Sequence, residues 1–322
     1  MKLTLFSLGI CLLLTDFCLA EAKTLIRIGV QANGTAAWEL TALQDIDPSL
    51  QADFTLEPHP IANAEAGKIA LQSGSVDIII TDWLWVSRLR ASGADFTFYP
   101  YSNTSGALVV ANDSSIHSLA DLKGKKIGIA GGELDKNWLL LQALGHKQQI
   151  DLNAANEKVF AAPPLISEQL TQKRIDAALT YWHFAAQLES SGNYRQLMDG
   201  RDILKGLGIQ EHLANLGYVF KQSWGDQHKS ALLSFFKASK QAKTQLCQSE
   251  SAWLKLAPLL PADNPASQKK LRQRYCEGAV SQSGESQIQA AHHIYRLLSQ
   301  VSKQQLTGPS ETLSPGTFWL TQ

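Results

Sequence analysis

Cysteine is scarce. Four occur in 322 residues, and two of them, Cys11 and Cys18, fall within the first twenty. Cys247 and Cys276 remain, and they can pair in an oxidising compartment or stay as buried thiols; the sequence leaves both open. A metal site would need more Cys or His at ligand spacing, and none is present. An excess of either charge is also missing. Lys and Arg number 29, Asp and Glu 29, and no long basic run exists, which argues against a nucleic-acid partner. There is no Gly-x-Ser-x-Gly elbow, Walker loop or His-Glu-x-x-His, and Gly128, Gly131 and Gly132 do not give dinucleotide spacing. No cofactor is expected. With 44% hydrophobic and 18% charged residues, the composition is that of an ordinary globular protein.

The first segment reads as a secretory leader. Lys2 precedes a nearly continuous apolar run from Leu3 to Leu14, and Cys18-Leu19-Ala20 or Ala20-Glu21-Ala22 can serve for cleavage. The run is too short to span a membrane stably. Phe17 and Asp16 precede Cys18 where a lipidation box needs small residues, so a lipid anchor is not expected. Loss of residues 1–22 removes Lys2, Asp16 and Glu21 and leaves a net charge of +1.

The rest is organised around residues 75–85. Val76 to Ile80 reads as a buried strand, Thr81 and Asp82 can cap a helix, and Trp83 and Trp85 begin it. The pattern returns 99 residues later, where Asp176, Thr180 and Trp182 match Asp77, Thr81 and Trp83. The same offset links Ile28-Gly29-Val30 to Ile127-Gly128-Ile129. Two strand-loop-helix units at one offset point to two lobes of similar build.

Strands are expected near 25–30, 54–57, 76–80, 94–101, 125–130, 159–160 and 175–180, with helices between them. That alternation predicts an α/β fold, each lobe a mixed, mostly parallel sheet flanked by helices. Gly106 to Val110 reads as the crossing into a second lobe, and Leu216 to Phe220 as the return. The expected division is 1–22 leader, 23–105 with 221–322 lobe one, and 106–220 lobe two. Beyond Gly225 the chain is helical, and these helices are expected to pack onto lobe one, with Phe318 and Trp319 pinning the tail.

Ligands of open α/β sheets sit beyond the carboxyl ends of the strands. The loops leaving those ends are 33–35, 81–83, 131–136 and 180–183, two from each lobe. Facing lobes would bring all four to one cleft. Asn33, Gly34, Thr35, Thr81 and Thr180 offer neutral hydrogen-bonding groups, and helix N-termini there suit an anion. Gly131 and Gly132 admit close backbone approach, and Lys136 can meet an anion. Trp38, Trp83, Trp138, Tyr181 and Trp182 offer aromatic walls. Each residue also has a plainer role as cap, turn or packing. Asp82 and Asp135, with Glu39 and Glu133, cut against a bare anion: they would hold an amine or a hard cation, or else point away. His183 is the one histidine near the cleft, and a lone histidine among aromatics is more often structural, so no catalytic residue is expected.

Ser118-Leu119-Ala120-Asp121-Leu122-Lys123-Gly124-Lys125-Lys126-Ile127-Gly128 carries a resemblance. So do Ile26 to Gln31, Ser73 to Ile78, and Arg174 to Leu179 with Trp182. Over about residues 24–245 the chain resembles periplasmic substrate-binding proteins of ABC importers, in the nitrate/sulfonate/taurine and thiamine-precursor group. The resemblance implies a type II-like, two-lobed flytrap that captures a small ligand and passes it, as a monomer, to an inner-membrane ABC permease. The cysteine cluster of thiamine-pyrimidine synthases of this fold is missing before Cys247, which counts against the enzymatic alternative. A ligand-sensing receptor partner is the other alternative. The aromatic turns at 81–85 and 180–184 favour an organic ligand over nitrate or bicarbonate.

Overall fold

Ten strands carry the fold in the computed structural model, which describes residues 22–31, 34–211, 213–260, 264–280 and 284–320. All of the expected leader but its last residue, and Asn33, lie outside that set. The first part holds β1 (Thr24–Gln31), α1 (Thr35–Leu43), β2 (Phe54–Ile61), α2 (Ala64–Ser73), β3 (Ile79–Thr81), α3 (Trp83–Ala91) and β4 (Phe96–Ser102). The second holds β5 (Ala107–Ala111), β6 (Lys126–Ala130), α4 (Lys136–Lys147), α5 (Leu152–Ala155), β7 (Glu157–Ala161), α6 (Pro163–Thr171), β8 (Ala177–Thr180), α7 (Trp182–Ser190), β9 (Tyr194–Asp199) and α8 (Gly200–Leu207). Then follow β10 (Leu216–Lys221), α9 (Gln222–Gln227), α10 (Lys229–Gln248), α11 (Glu250–Leu254), α12 (Pro265–Glu277) and α13 (Glu285–Val301).

The second sheet runs β7-β6-β8-β5-β9. In the first, β1 pairs with β2, β10 lies between β3 and β4, and a bridge from Ile28 to Ile78 joins the two groups. The order is therefore β2-β1-β3-β10-β4, element for element the same. Only β10 and β5 run against their neighbours. These are the strands that cross between lobes: each enters from the cleft side and so must run away from it.

The offset of 99 has a structural cause. Asp77 accepts the Arg27 amide at 2.8 Å, and Asp176 accepts the Lys126 amide at 2.8 Å. In return the Asp77 and Asp176 amides donate to the carbonyls of Arg27 and Lys126, both at 2.8 Å. Each aspartate thus ties its chain to the start of the neighbouring strand, β1 or β6, at the end away from the cleft.

Local chemistry sets the boundaries. Asn63 caps α2 through the Ala66 amide, and Gly74 closes it at φ 78°, a conformation costly for other residues. Strand β2 runs on through Pro58 and Pro60 to Ile61, further than expected, because it is an edge strand and tolerates the missing N–H groups. Ser118-Leu119-Ala120-Asp121 reads as a capping box on a short helix, but no α-helix follows. Asp121 instead gathers the amides of His117 and Ser118 over a single 3-10 turn, 120–122.

The C-terminal helices depart from expectation. Helix α10 packs on α1, but α12 packs on α7 and α13 on α4, beside the second sheet. Ala290, Ala291, Ile294, Tyr295 and Leu298 share one core with Trp83 and Leu84 of α3 and with Trp138 and Leu141 of α4. These helices strap the two halves together: α12 packs on both α10 and α7, and α13 shares its core with α3 and α4. Cys247 on α10 and Cys276 on α12 are disulfide-bonded, with Cα atoms 5.7 Å apart. The tail is held as expected. Phe318 packs on Trp83 and Phe98, and the Trp319 indole donates to Asp226 at 2.8 Å.

Candidate ligand-binding cleft

The strand ends of both sheets open on one cavity of about 380 Å³. Small-ligand pockets span roughly 300–1,000 Å³. Gly34, Thr35, Trp38, Thr81 and Asp82 line it from the first sheet, and Tyr181, Trp182 and His183 from the second. A second cavity of about 250 Å³ shares those last three residues and extends to Lys136, Asn137, Ser105 and Asn215. Trp38 and Trp182 meet edge to face across the gap, ring centroids 6.2 Å apart.

Four helices begin at this cleft, and they begin in two ways. The Asp82 carboxylate accepts the Trp85 amide at 3.0 Å at the start of α3, and Asp135 accepts the Trp138 amide at 3.1 Å at the start of α4. Those N-termini are already served by an anion. Helices α1 and α7 begin at Gly34 and Tyr181 with no side-chain cap among the described residues. The first N–H groups of a helix have no intrahelical acceptor, and the dipole there favours negative charge. Both uncapped ends line the larger cavity, one from each sheet.

Several expected residues sit elsewhere. Trp83 and Trp138 are each 1% exposed and line neither cavity, so both are core: Trp83, the first residue of α3, turns inward onto Phe318. Thr180 is also buried, paired with Ala107 in the sheet, its Oγ1 without a partner among the described residues. Neither Gly131 nor Gly132 is among the residues lining the two cavities. Gly131, at φ 104°, is exposed beside the wall: a β-carbon there would come 3.6 Å from the Asp135 side chain and 3.7 Å from the Tyr181 hydroxyl. Glu133 is exposed.

Glu39 is the sharpest correction. It is 2% exposed and lies behind the cavity, not in it. Tyr101 donates to its Oε1 at 2.9 Å, Tyr275 to the same oxygen at 2.7 Å, and Ser239 to Oε2 at 3.2 Å. Lys243 stands 3.3 Å away and balances the charge. An ion pair with this many hydrogen bonds is internally satisfied and repels no ligand. Sequence reasoning had no signal for Lys243 or Tyr275, which reach Glu39 across 204 and 236 positions. It also missed Lys68, Tyr101 and Gln31 on the cavity wall.

Burial pushes the Lys136 ammonium below its ordinary pKa, while Asp82 and Asp135 pull it back. Burial raises Asp135, opposed by the Trp138 amide and Lys136. His183 falls to about 4 through burial, so it is neutral at neutral pH. It packs on Phe184 with ring centroids 4.5 Å apart. Among the described residues no group of three or more His, Cys, Asp and Glu is placed to hold a metal.

The family described as NMT1/THI5 like matches residues 63–249, more than half the chain. The chain belongs to this family. It is 29% identical over 138 residues to an *Escherichia coli* (strain K12) protein whose name gives it as binding aliphatic sulfonates; the match spans 42% of each chain. The periplasmic aliphatic sulphonate binding protein SsuA of *Escherichia coli* superposes with a TM-score of 0.74 at 16% identity, over 92% of this chain and 98% of that one. SsuA from *Xanthomonas axonopodis* pv. citri, bound to MOPS, gives 0.68 at 18%, over 92% and 99%. The fold is that of the two-lobed periplasmic binding proteins. In this NMT1/THI5-like chain the interlobe cavity is the larger of the two described above. No helix among the described residues is long and apolar enough to cross a membrane.

Proposed function

We propose that the protein is the periplasmic solute-binding component of an ABC-type importer, capturing a small organic acid of the sulfonate class between its lobes and passing it to a membrane permease. One observation carries this reading: the uncapped N-termini of α1 and α7, from opposite sheets, line the same cavity. Such ends bind anions through backbone N–H groups and need no ionised side chain. Trp38, Tyr181 and Trp182 supply apolar wall for an organic portion. The relatives' names point the same way. In this reading 23–105 with 221–322 and 106–220 are the two lobes, residues 1–22 are removed on export, and the protein is a monomer that performs no chemistry. The site is Gly34, Thr35, Trp38, Thr81, Asp82, Tyr181, Trp182 and His183, with Lys136 and Asp135 at its edge.

Titration calorimetry with ethanesulfonate, longer alkanesulfonates, nitrate and phosphate tests the reading. A single saturable site for sulfonates is expected. Tight nitrate or phosphate binding with no response to any sulfonate overturns it.

A further inference from the structure

Hydroxyl protons in the wall of the larger cavity run in one direction. The Glu39 carboxylate is paired with Lys243 and can only accept hydrogen bonds. Tyr101 has one proton, and it donates that proton to Glu39 Oε1 at 2.9 Å. The Thr35 hydroxyl lies 2.8 Å from the Tyr101 oxygen. With the tyrosine proton committed, Thr35 must be the donor in that contact. The reverse assignment would give up a bond to a charged acceptor, about twice as strong as a neutral one, and leave two bare oxygens in contact. Ser239 repeats the pattern: it donates to Glu39, so Tyr218, 2.5 Å away, donates to Ser239. Thr35 therefore has no proton left for the cavity it lines, only lone pairs.

A second acceptor faces the same space. Asp82 lines the cavity, and among the described residues it accepts only the Trp85 amide, on Oδ1. The cavity thus joins backbone donors at α1 and α7 to acceptors at Thr35 and Asp82.

We propose that Thr35 is a specificity-determining acceptor, fixed in that role by the Tyr101–Glu39 relay, and that the cavity selects acids carrying a hydrogen-bond donor, a hydroxyl or ammonium group, over plain alkyl acids. This rests on the cavity being an anion site, as argued above. A plain alkyl chain would offer no proton to the Thr35 lone pairs or to the second Asp82 oxygen, and an acceptor left without a partner costs more than a formed bond gains.

The test is calorimetric titration of the mature chain with ethanesulfonate, 2-hydroxyethanesulfonate and 2-aminoethanesulfonate. The two substituted acids should bind at least about tenfold more tightly than ethanesulfonate. Thr35→Val, which keeps shape and removes the oxygen, should erase most of that preference, and Thr35→Ser should keep it. Tyr101→Phe frees the Thr35 hydroxyl to turn its proton into the cavity as well as to accept, so the advantage of the substituted acids should shrink without vanishing. Thermal melts identify any variant that fails to fold, and Thr35→Val carries the test if Tyr101→Phe does. Equal binding of all three acids by the unaltered protein overturns the inference and leaves the anion site standing, as does a preference that survives in Thr35→Val. Binding of none overturns both.

Discussion

Trp83 and Trp182 occupy equivalent positions, each opening the helix that follows the third strand of its sheet. Trp83 is buried among Phe98 and Phe318, where the C-terminal tail covers it. Trp182 has no such cover and stands on the cavity wall against Trp38. The capping residues differ in the same sense: Asp82 precedes Trp83 and serves α3, whereas Tyr181 precedes Trp182 and leaves α7 open. One sheet has thus turned this junction into core and the other into cavity wall. In the junction after the first strand the roles are exchanged, α1 being open and α4 capped by Asp135. The repeat preserves the scaffold, and the open helix ends lie on the diagonal.

Breaking the tryptophan pair should give the largest contrast. Trp83→Ala should cost about 4 kcal/mol of stability, read by denaturant unfolding, because it empties a core site. Trp182→Ala should cost much less stability and show its effect in ligand titration; equal stability losses would deny the comparison. Next comes the buried pair behind the cavity. Glu39→Gln should destabilise by about 3 kcal/mol, since it leaves Lys243 buried without its counter-charge.

Converting α7 to the capped type sharpens the comparison. Tyr181→Asp should weaken sulfonate binding at least about tenfold relative to Tyr181→Asn, which removes the same ring without adding charge. Equal affinities would mean that α7 does not face the acid group.

The smallest effect concerns pH. Burial lowers His183 from 6.5 to about 4, so between those values the unfolded chain binds the proton and the folded one does not. Its stabilising contribution is complete above pH 6.5 and is lost as pH falls toward 4. His183→Gln should flatten the stability profile over that window, measured by thermal melting; an unchanged profile would mean that the buried imidazole does not set it.

Much of the fold was legible in the residues. Apolar runs ending in Gly or Thr marked the strands, and the offset of 99 announced two equivalent sheets. Its most regular member, Asp77 with Asp176, proved to be a brace for strand β1 or β6 on the side away from the ligand. Strand β9 and helix α8 were not expected, although Ile203 and Leu207 stand four apart between the Asp199 cap and Gly208. Of the site, the turns at 34–35, 81–82 and 181–183 were readable from their place after strands. Of the two equivalent tryptophans Trp182 reaches the cavity and Trp83 does not, because the tail that buries Trp83 lies 235 residues away.

Local sequence determined the strands, the helix starts, the two aspartate caps and the doubled order of elements, because each depends on neighbours a few residues apart. Tertiary structure decided which helix ends stayed open to a ligand, which carboxylates were neutralised and which way a hydroxyl proton points. Glu39 is a cleft charge on paper and a silent one in the fold, since Lys243 and Tyr275 reach it only through the packing of α10 and α12 against α1. Such long-range pairing is set by how apolar faces stack, and no local pattern encodes it.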